Sequence, residues 1–416
     1  MPASSSTAPV LVVGGGLAAA RAVEAVREQD DDVDVVVVTS EGHRPYERPP
    51  LSKDYVRGQA EADVIYPLKA GWYDDHGIDL RTLTTVVDLV PADHEVTFAD
   101  GSTLGYSRLL LATGSTPRAL NVPGRSLIGV HTLRTVDDAD LLAGILLAAS
   151  LEGEGKVVVV GDGWIGTEVA SSARMLGLDV CLVGQTEHPL EATLGPELGA
   201  LYGRLHHDRG VARHRGDVVE FTGESGRVRG VQLADGTVLE ADLVVVGVGV
   251  TPNVGIASAA GIELRSRDLG GGIAVDGALR TSAPDVFAAG DIASVPSPHY
   301  GRPLRVEHWA VAQDTGAHAG RAMLGDDATY DVLPYFFSDQ YDVGMEYKGF
   351  VDLRAAGAEV VISGSIDDRE LVAFWLRDGA VQAGMAVNVW ERMDDVEELI
   401  RSGRQVPRAE LESFVG

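Results

Sequence analysis

The residues best suited to chemistry are two glycine clusters, each behind a run of apolar residues. Gly14-Gly-Gly16-Leu-Ala-Ala19 follows Val10-Leu-Val-Val, and Gly161-Asp-Gly163-Trp-Ile-Gly166 follows Lys156-Val-Val-Val-Val. Both are dinucleotide fingerprints of the form G-x-G-x-x-G/A. The first glycine permits a tight turn and the second lets the backbone approach a pyrophosphate. The third small residue lets helix and strand pack closely. The helix that follows offers unpaired N–H groups and the positive end of its dipole to phosphates. One copy is a weak signal, because a glycine turn after a strand can simply be a turn. Two complete copies in strand–turn–helix order predict two dinucleotide sites in one chain.

An acidic residue at the end of the next strand usually accepts hydrogen bonds from a ribose. In the first copy, Val33 to Val38 runs into Thr39-Ser40-Glu41, so Glu41 is the candidate; a solvated loop carboxylate is the alternative. In the second copy, Val180 to Val183 runs into Gly184-Gln185-Thr186, with no carboxylate. That loosens the usual preference for NAD over NADP, and His188 or Arg213 could supply positive character. Between the copies, Arg44-Pro-Tyr-Glu-Arg48-Pro-Pro-Leu-Ser-Lys53 carries three prolines in seven residues. These predict a stiff extended loop, not a helix, presenting Arg48 and Lys53 to a phosphate or flavin, or else a rigid connector with two exposed cations. The Ala112-Thr113-Gly114 turn after Leu109-Leu-Leu would let backbone approach a ligand. Asp291, in Phe287-Ala-Ala-Gly290-Asp291, is placed to cap a following helix or to bond a ligand hydroxyl.

The elements that must position these residues follow from periodicity. Gly14 to Arg27 reads as a helix, and Asp30-Asp-Asp32 as a solvated turn. Leu80 to Asp88, His94 to Phe98 and Thr103-Leu104 read as a meander with a hairpin at Asp100-Gly101. Val228 to Leu233 and Leu239 onward repeat it before the strand Leu243-Val-Val-Val. From about Asp326 the pattern turns to strands at 360–364, 371–376 and 381–386 and a helix near 394–402. The fold expected is α/β: two Rossmann-like three-layer dinucleotide-binding domains and a small C-terminal α+β domain. The boundaries expected are 1–118 with 248–325, then 119–247, then 326–416.

Composition narrows the class. A chain of 416 residues exceeds one ordinary core. Its net charge of −28 repels nucleic acid and anionic membranes, so neither is an expected partner. A single cysteine, Cys181, excludes a disulfide scaffold, a thiolate metal site and a C-x-x-C redox pair. Cys181 reads as a small buried hydrophobe, and no metal site is expected. Met1 to Pro9 lacks the basic region of a signal peptide and reads as a frayed tail. The run Leu141 to Leu151 is too short to span a bilayer, so a cytoplasmic location is expected.

Pro45-Tyr-Glu-Arg-Pro-Pro-Leu-Ser-Lys53, Ala112-Thr-Gly114, Phe287-Ala-Ala-Gly-Asp291, Val306-Glu-His-Trp309 and Ser338-Asp-Gln-Tyr-Asp342 together resemble one family. It is the FAD-dependent, NAD(P)H-using ferredoxin reductases that serve oxygenases and cytochromes P-450, of the putidaredoxin reductase type. Apoptosis-inducing factor and, more distantly, glutathione reductase share that fold. The resemblance implies that Gly14 and Gly16 meet the FAD pyrophosphate and that Thr113, Gly114 and Asp291 line the FAD. It places Arg48 and Lys53 near that cofactor, Lys53 paired with Glu168, and Glu307, His308 and Trp309 at the flavin ring. Gly161, Gly163 and Gly166 would hold NADH or NADPH. The cofactor-binding set extends to Leu17, Ala18, Glu41, Val86, Ala112, Arg118, Ile165 and Gly249. Members often carry an acid at the place of Ser40 and a Glu at Gly184; Tyr335-Phe-Phe337 replaces a tryptophan-containing stretch associated with electron exit.

Without a thiol pair, electrons must leave the flavin directly, which suits an iron–sulfur ferredoxin, and Lys53 with Glu168 would stabilise charge on the reduced ring. The rivals are a redox sensor or interaction protein, or a flavin oxidase or quinone reductase. A monomer or homodimer is expected. A local basic rim from Arg302, Arg305 and Lys348 is expected to receive an acidic ferredoxin.

Overall fold

A computed structural model describes residues 8–153, 155–353 and 358–415. Most of the expected N-terminal tail, residues 1–7, lies outside them. The chain divides into two compact units, 1–47 with 63–116 and 251–334, and 48–62 with 117–250 and 335–416.

The first unit is built on five parallel strands, in the order Val286–Ala288, Arg108–Leu111, Val10–Val13, Val35–Val38, Ile78–Arg81. Val10–Val13 and Val35–Val38 are wholly buried, as unbroken valine runs in a covered parallel sheet should be. The helix Leu17–Gln29 starts three residues later than the expected Gly14, because Gly14 and Gly16 form the turn before it. The helix Trp309–Met323 packs on it with small residues at the crossing: a Cβ on Gly316 would collide with the Ala18 carbonyl, and one on Gly320 with that of Ala22.

The expected strand Leu80 to Asp88 is two elements. Ile78–Arg81 closes the parallel sheet, whereas Val86–Val90 opens an antiparallel meander with Glu95–Phe98 and Thr103–Gly105. Leu83, exposed at φ 51°, turns the chain between them. Asp291 does not open a long helix. It lies in a single 3-10 turn, Gly290–Ile292, that leads into the strand Ala293–Ser297.

The second unit repeats the plan. Its parallel sheet runs Ala212–Arg215, Asp179–Gly184, Lys156–Val160, Leu243–Val246, Val130–His131, beside a meander of Val218–Glu224, Arg227–Leu233 and Val238–Glu240. The proline-rich loop from Arg48 on also belongs here, and Pro49–Ser52 is a turn of 3-10 helix instead of extended chain. Prolines at its first positions need no N–H and already hold the required φ. The C-terminal part is a five-stranded antiparallel sheet in the order Tyr335–Gln340, Val343–Gly349, Ala380–Val387, Glu370–Arg377, Ala358–Ser365, covered by the helix Met393–Ser402. Its two first strands were not expected, although Val343, Met345, Tyr347 and Gly349 alternate inward with polar neighbours. Among the described residues no helix is long and apolar enough to cross a membrane.

Candidate functional site

In the first unit the turn between Val10–Val13 and Leu17–Gln29 forms a glycine cradle. Gly14 sits at φ 148°, where a Cβ would collide with the Ala112 carbonyl. Gly16 takes the N-cap place with no side chain over the helix end, so the first N–H groups stay open to an outside acceptor. Leu17 and Ala18 form the buried first turn of that helix. Tyr46 bridges to Gly16 through its backbone, and its hydroxyl donates to the Glu41 carboxylate. Glu41 is thereby held beside the fingerprint turn, its own N–H on Thr39 Oγ1 at 3.2 Å. Tyr46 is fully buried, and its hold on Glu41 was not legible in the proline motif that contains it.

Opposite, Thr113 and Gly114 form a tied turn after Arg108–Leu111. Thr113 Oγ1 donates to the Asn253 carbonyl at 2.8 Å, and Asn253 Nδ2 donates back to the Thr113 carbonyl at 2.9 Å. Val86 is buried in the core at the start of the meander. The Gly290 N–H donates to Thr315 Oγ1 at 2.9 Å, which anchors the turn carrying Asp291, and Arg305 Nη1 donates to the Asp291 carbonyl at 3.1 Å. Glu307 is paired with Arg305, while His308 takes the N-cap place of the helix that Trp309 begins, with no side-chain bond over the helix end. Burial pushes the His308 imidazole down to about 4, so it is neutral at pH 7.

The second unit holds the other cradle. Gly161, at φ 106°, approaches the Gly247 carbonyl too closely for any Cβ, and one on Gly166 would collide with the Gly161 carbonyl. Gly163 is an uncapped N-cap, and Ile165 stands exposed on the first helical turn. Arg118 closes one side, its N–H donating to the Gly249 carbonyl and its Nε to that of Val250, both at 2.9 Å.

The expected pair of Lys53 and Glu168 is present. Nζ lies 2.9 Å from Glu168 Oε1, with the two side chains 12% and 5% exposed. The carboxylate also accepts from Ser52 Oγ at 2.5 Å and Ser338 Oγ at 2.7 Å. Three donors thus compensate one buried charge. Behind it, Gln340 Nε2 donates to Thr167 Oγ1 at 3.0 Å, and His206 Nε2 donates to Gln340 Oε1 at 2.9 Å. Burial pushes His206 down to about 4, so this network carries a neutral imidazole. Arg48 donates Nε to the Arg134 carbonyl at 3.2 Å. Ser52 and Ser338 sit inside motifs that the sequence marked, but nothing in the spacing showed that both would meet Glu168. Cys181 lies on the strand Asp179–Gly184, its thiol pushed up to about 11 by burial, which suits packing and not nucleophilic attack. Among the described residues no cluster of three or more His, Cys, Asp or Glu is placed to hold a metal ion.

Comparison with known proteins identifies the family of this fold. The family model described as pyridine nucleotide-disulphide oxidoreductase matches residues 8–316, and one described as reductase C-terminal matches residues 335–413. The ferredoxin–NAD(+) reductase component of an anthranilate 1,2-dioxygenase system from Burkholderia cepacia is 36% identical, over 96% of this chain and 95% of that protein. A ferredoxin reductase from Rhodopseudomonas palustris superposes with a TM-score of 0.90 at 32% identity, covering 98% of each chain. The reductase in a covalent putidaredoxin reductase–putidaredoxin complex gives 0.91 at 30% identity, over 99% of this chain and 97% of that one.

Proposed function

The chain belongs to the pyridine nucleotide-disulphide oxidoreductase family, among its ferredoxin reductases, and from that premise we propose that it carries electrons from NAD(P)H through FAD to a ferredoxin. Residues 1–118 with 248–325 would form the FAD domain, 119–247 the NAD(P) domain and 326–416 the C-terminal domain. The observation that carries the reading is the pair of glycine cradles in a chain whose one cysteine is protonated and half-buried. Two dinucleotides fit, and no thiol relay does.

FAD, when bound, accepts a hydride and can release its two electrons singly. The chain's own residues supply binding and electrostatics. Gly14 and Gly16 admit a pyrophosphate to the open N–H groups of Leu17–Gln29. Glu41, oriented by the Tyr46 hydroxyl, is set to accept from a ribose hydroxyl. Lys53, tied to a carboxylate that Ser52 and Ser338 also hold, offers a fixed positive charge for negative charge that develops near it. Neither it nor Glu168 needs to move a proton. Arg118, Gly161, Gly163, Ile165, Gly166 and Gly249 would seat the nicotinamide nucleotide.

The test is NAD(P)H-dependent reduction of cytochrome c, with and without an added ferredoxin. Rapid turnover only when ferredoxin is present is the expected result. Tight nucleotide binding with negligible turnover would favour a redox sensor, and turnover independent of ferredoxin would favour an oxidase or quinone reductase.

A further inference from the structure

Gly184 ends the second strand of the second nucleotide module, where an acidic side chain would ordinarily read the adenosine ribose. Glycine offers nothing there. Yet the place is filled: a Cβ on Gly184 would collide with the carboxylate of Asp162. Asp162 is the middle residue of Gly161-Asp-Gly163, so its side chain reaches the strand end from the fingerprint turn itself. Its Oδ2 accepts from Arg213 Nη2 at 2.7 Å, in an ion pair whose side chains are only 15% and 21% exposed. Arg213 is fixed in turn, Nη2 on the Thr186 carbonyl at 2.6 Å and Nη1 on the Glu187 carbonyl at 2.7 Å.

We propose that the Asp162–Arg213 pair replaces the acid missing at position 184 and selects NADH over NADPH. This rests on the reading that the second fingerprint holds the nicotinamide cofactor. Two atoms of the pair are left over. Among the described residues none donates to Asp162 Oδ1, and Arg213 Nε is buried with no acceptor. A ribose hydroxyl can donate to Oδ1, whereas a 2′-phosphate can only accept and would set its own negative charge against the carboxylate. The two Arg213 Nη atoms could turn to a phosphate only by abandoning Asp162 and two backbone carbonyls. The neighbouring cation is also engaged: Arg215 donates Nε to the Gln185 carbonyl and Nη1 to Glu187 Oε2, both at 3.1 Å. Asp217, bonded to Gln185 Nε2, adds a third carboxylate to this strand end. Three acids against two bound arginines disfavour a dianion there.

The proposal is tested by calorimetric binding of NAD+ and NADP+ to the holoenzyme, in the wild type and two variants. Wild type is expected to bind NAD+ at least about tenfold more tightly than NADP+, the scale of one hydrogen bond to a charged group. D162N is expected to weaken NAD+ about tenfold while leaving NADP+ unchanged or tighter. In the double variant Asp162→Gly/Gly184→Glu the carboxylate moves to the usual position, and the preference for NAD+ should return. That return excludes a merely misfolded turn as the cause of the first loss. Tighter NADP+ binding by wild type, or an unchanged ratio in D162N, overturns the proposal. Failure of wild type to bind either nucleotide would overturn the reading of the module itself, and this proposal with it.

Discussion

At the scale of single residues, the Lys53–Glu168 pair shows how a buried charge is kept where it can act. The Glu168 carboxylate is 5% exposed and accepts from one ammonium and two hydroxyls, so its desolvation is offset by bonds of favourable length. Lys53→Ala would leave it with Ser52 and Ser338 alone, at a cost of about 3 kcal/mol, the scale for stripping one partner from a buried pair. The same change should slow flavin reduction by NAD(P)H, because the fixed positive charge goes with the ammonium. Stability and function separate in the double variant Lys53→Ala/Glu168→Gln. Without an uncompensated carboxylate it should regain most of the lost melting temperature but none of the rate. Stopped-flow bleaching of the flavin at the wild-type rate in either variant would reduce the pair to a structural tie.

At the scale of elements, the crossing of Leu17–Gln29 and Trp309–Met323 sets how closely the first fingerprint is backed. Gly316 and Gly320 face the carbonyls of Ala18 and Ala22 with no room for a methyl group. Gly316→Ala is therefore expected to destabilise by about 2 kcal/mol, as overpacking does, and to loosen FAD because Ala18 lies in the first turn of the helix proposed to hold it. Gly144→Ala, in the helix Val136–Glu152 with open space around it, should instead stabilise by about 0.5–1 kcal/mol. Thermal denaturation and FAD titration of the two variants check this, and equal effects would refute the packing argument.

Elements also decide what was legible in the sequence. Unbroken valine runs behind glycine turns announced both parallel sheets, since nothing but a covered strand tolerates them. The break at Leu83 was not legible, because a non-glycine residue at positive φ carries no composition signal. Nor was the 3-10 turn at Pro49–Ser52, where prolines forbid an α-helix interior but suit a first turn. At the sites, residues inside one motif were readable as a group. Of the contacts between distant motifs only Lys53 with Glu168 was expected, from the family resemblance; Ser338 on Glu168, or Asp162 over Gly184, depend on how strands register and turns aim their side chains.

At the scale of the whole molecule, a net charge of −28 makes the approach of an acidic ferredoxin unfavourable unless a local basic face overrides it. Arg305 and Lys348, two of the three residues expected to form such a rim, do not offer free charge. Arg305 is bonded to Glu307, and Lys348 Nζ to Glu397 Oε2. Each cation is cancelled within its own unit, so neither would steer a partner from a distance. The overall field should then dominate the encounter. The kcat/KM for an acidic ferredoxin is expected to rise several-fold as salt increases from about 10 to about 150 mM, as the Debye length contracts from about 30 to about 8 Å and screens the repulsion. Lys348→Gln, which leaves Glu397 with Arg401 at 2.6 Å, should change that value less than about twofold. A fall in kcat/KM with salt, together with a large loss in the Lys348 variant, would mean that local attraction outweighs the global field despite the pairing.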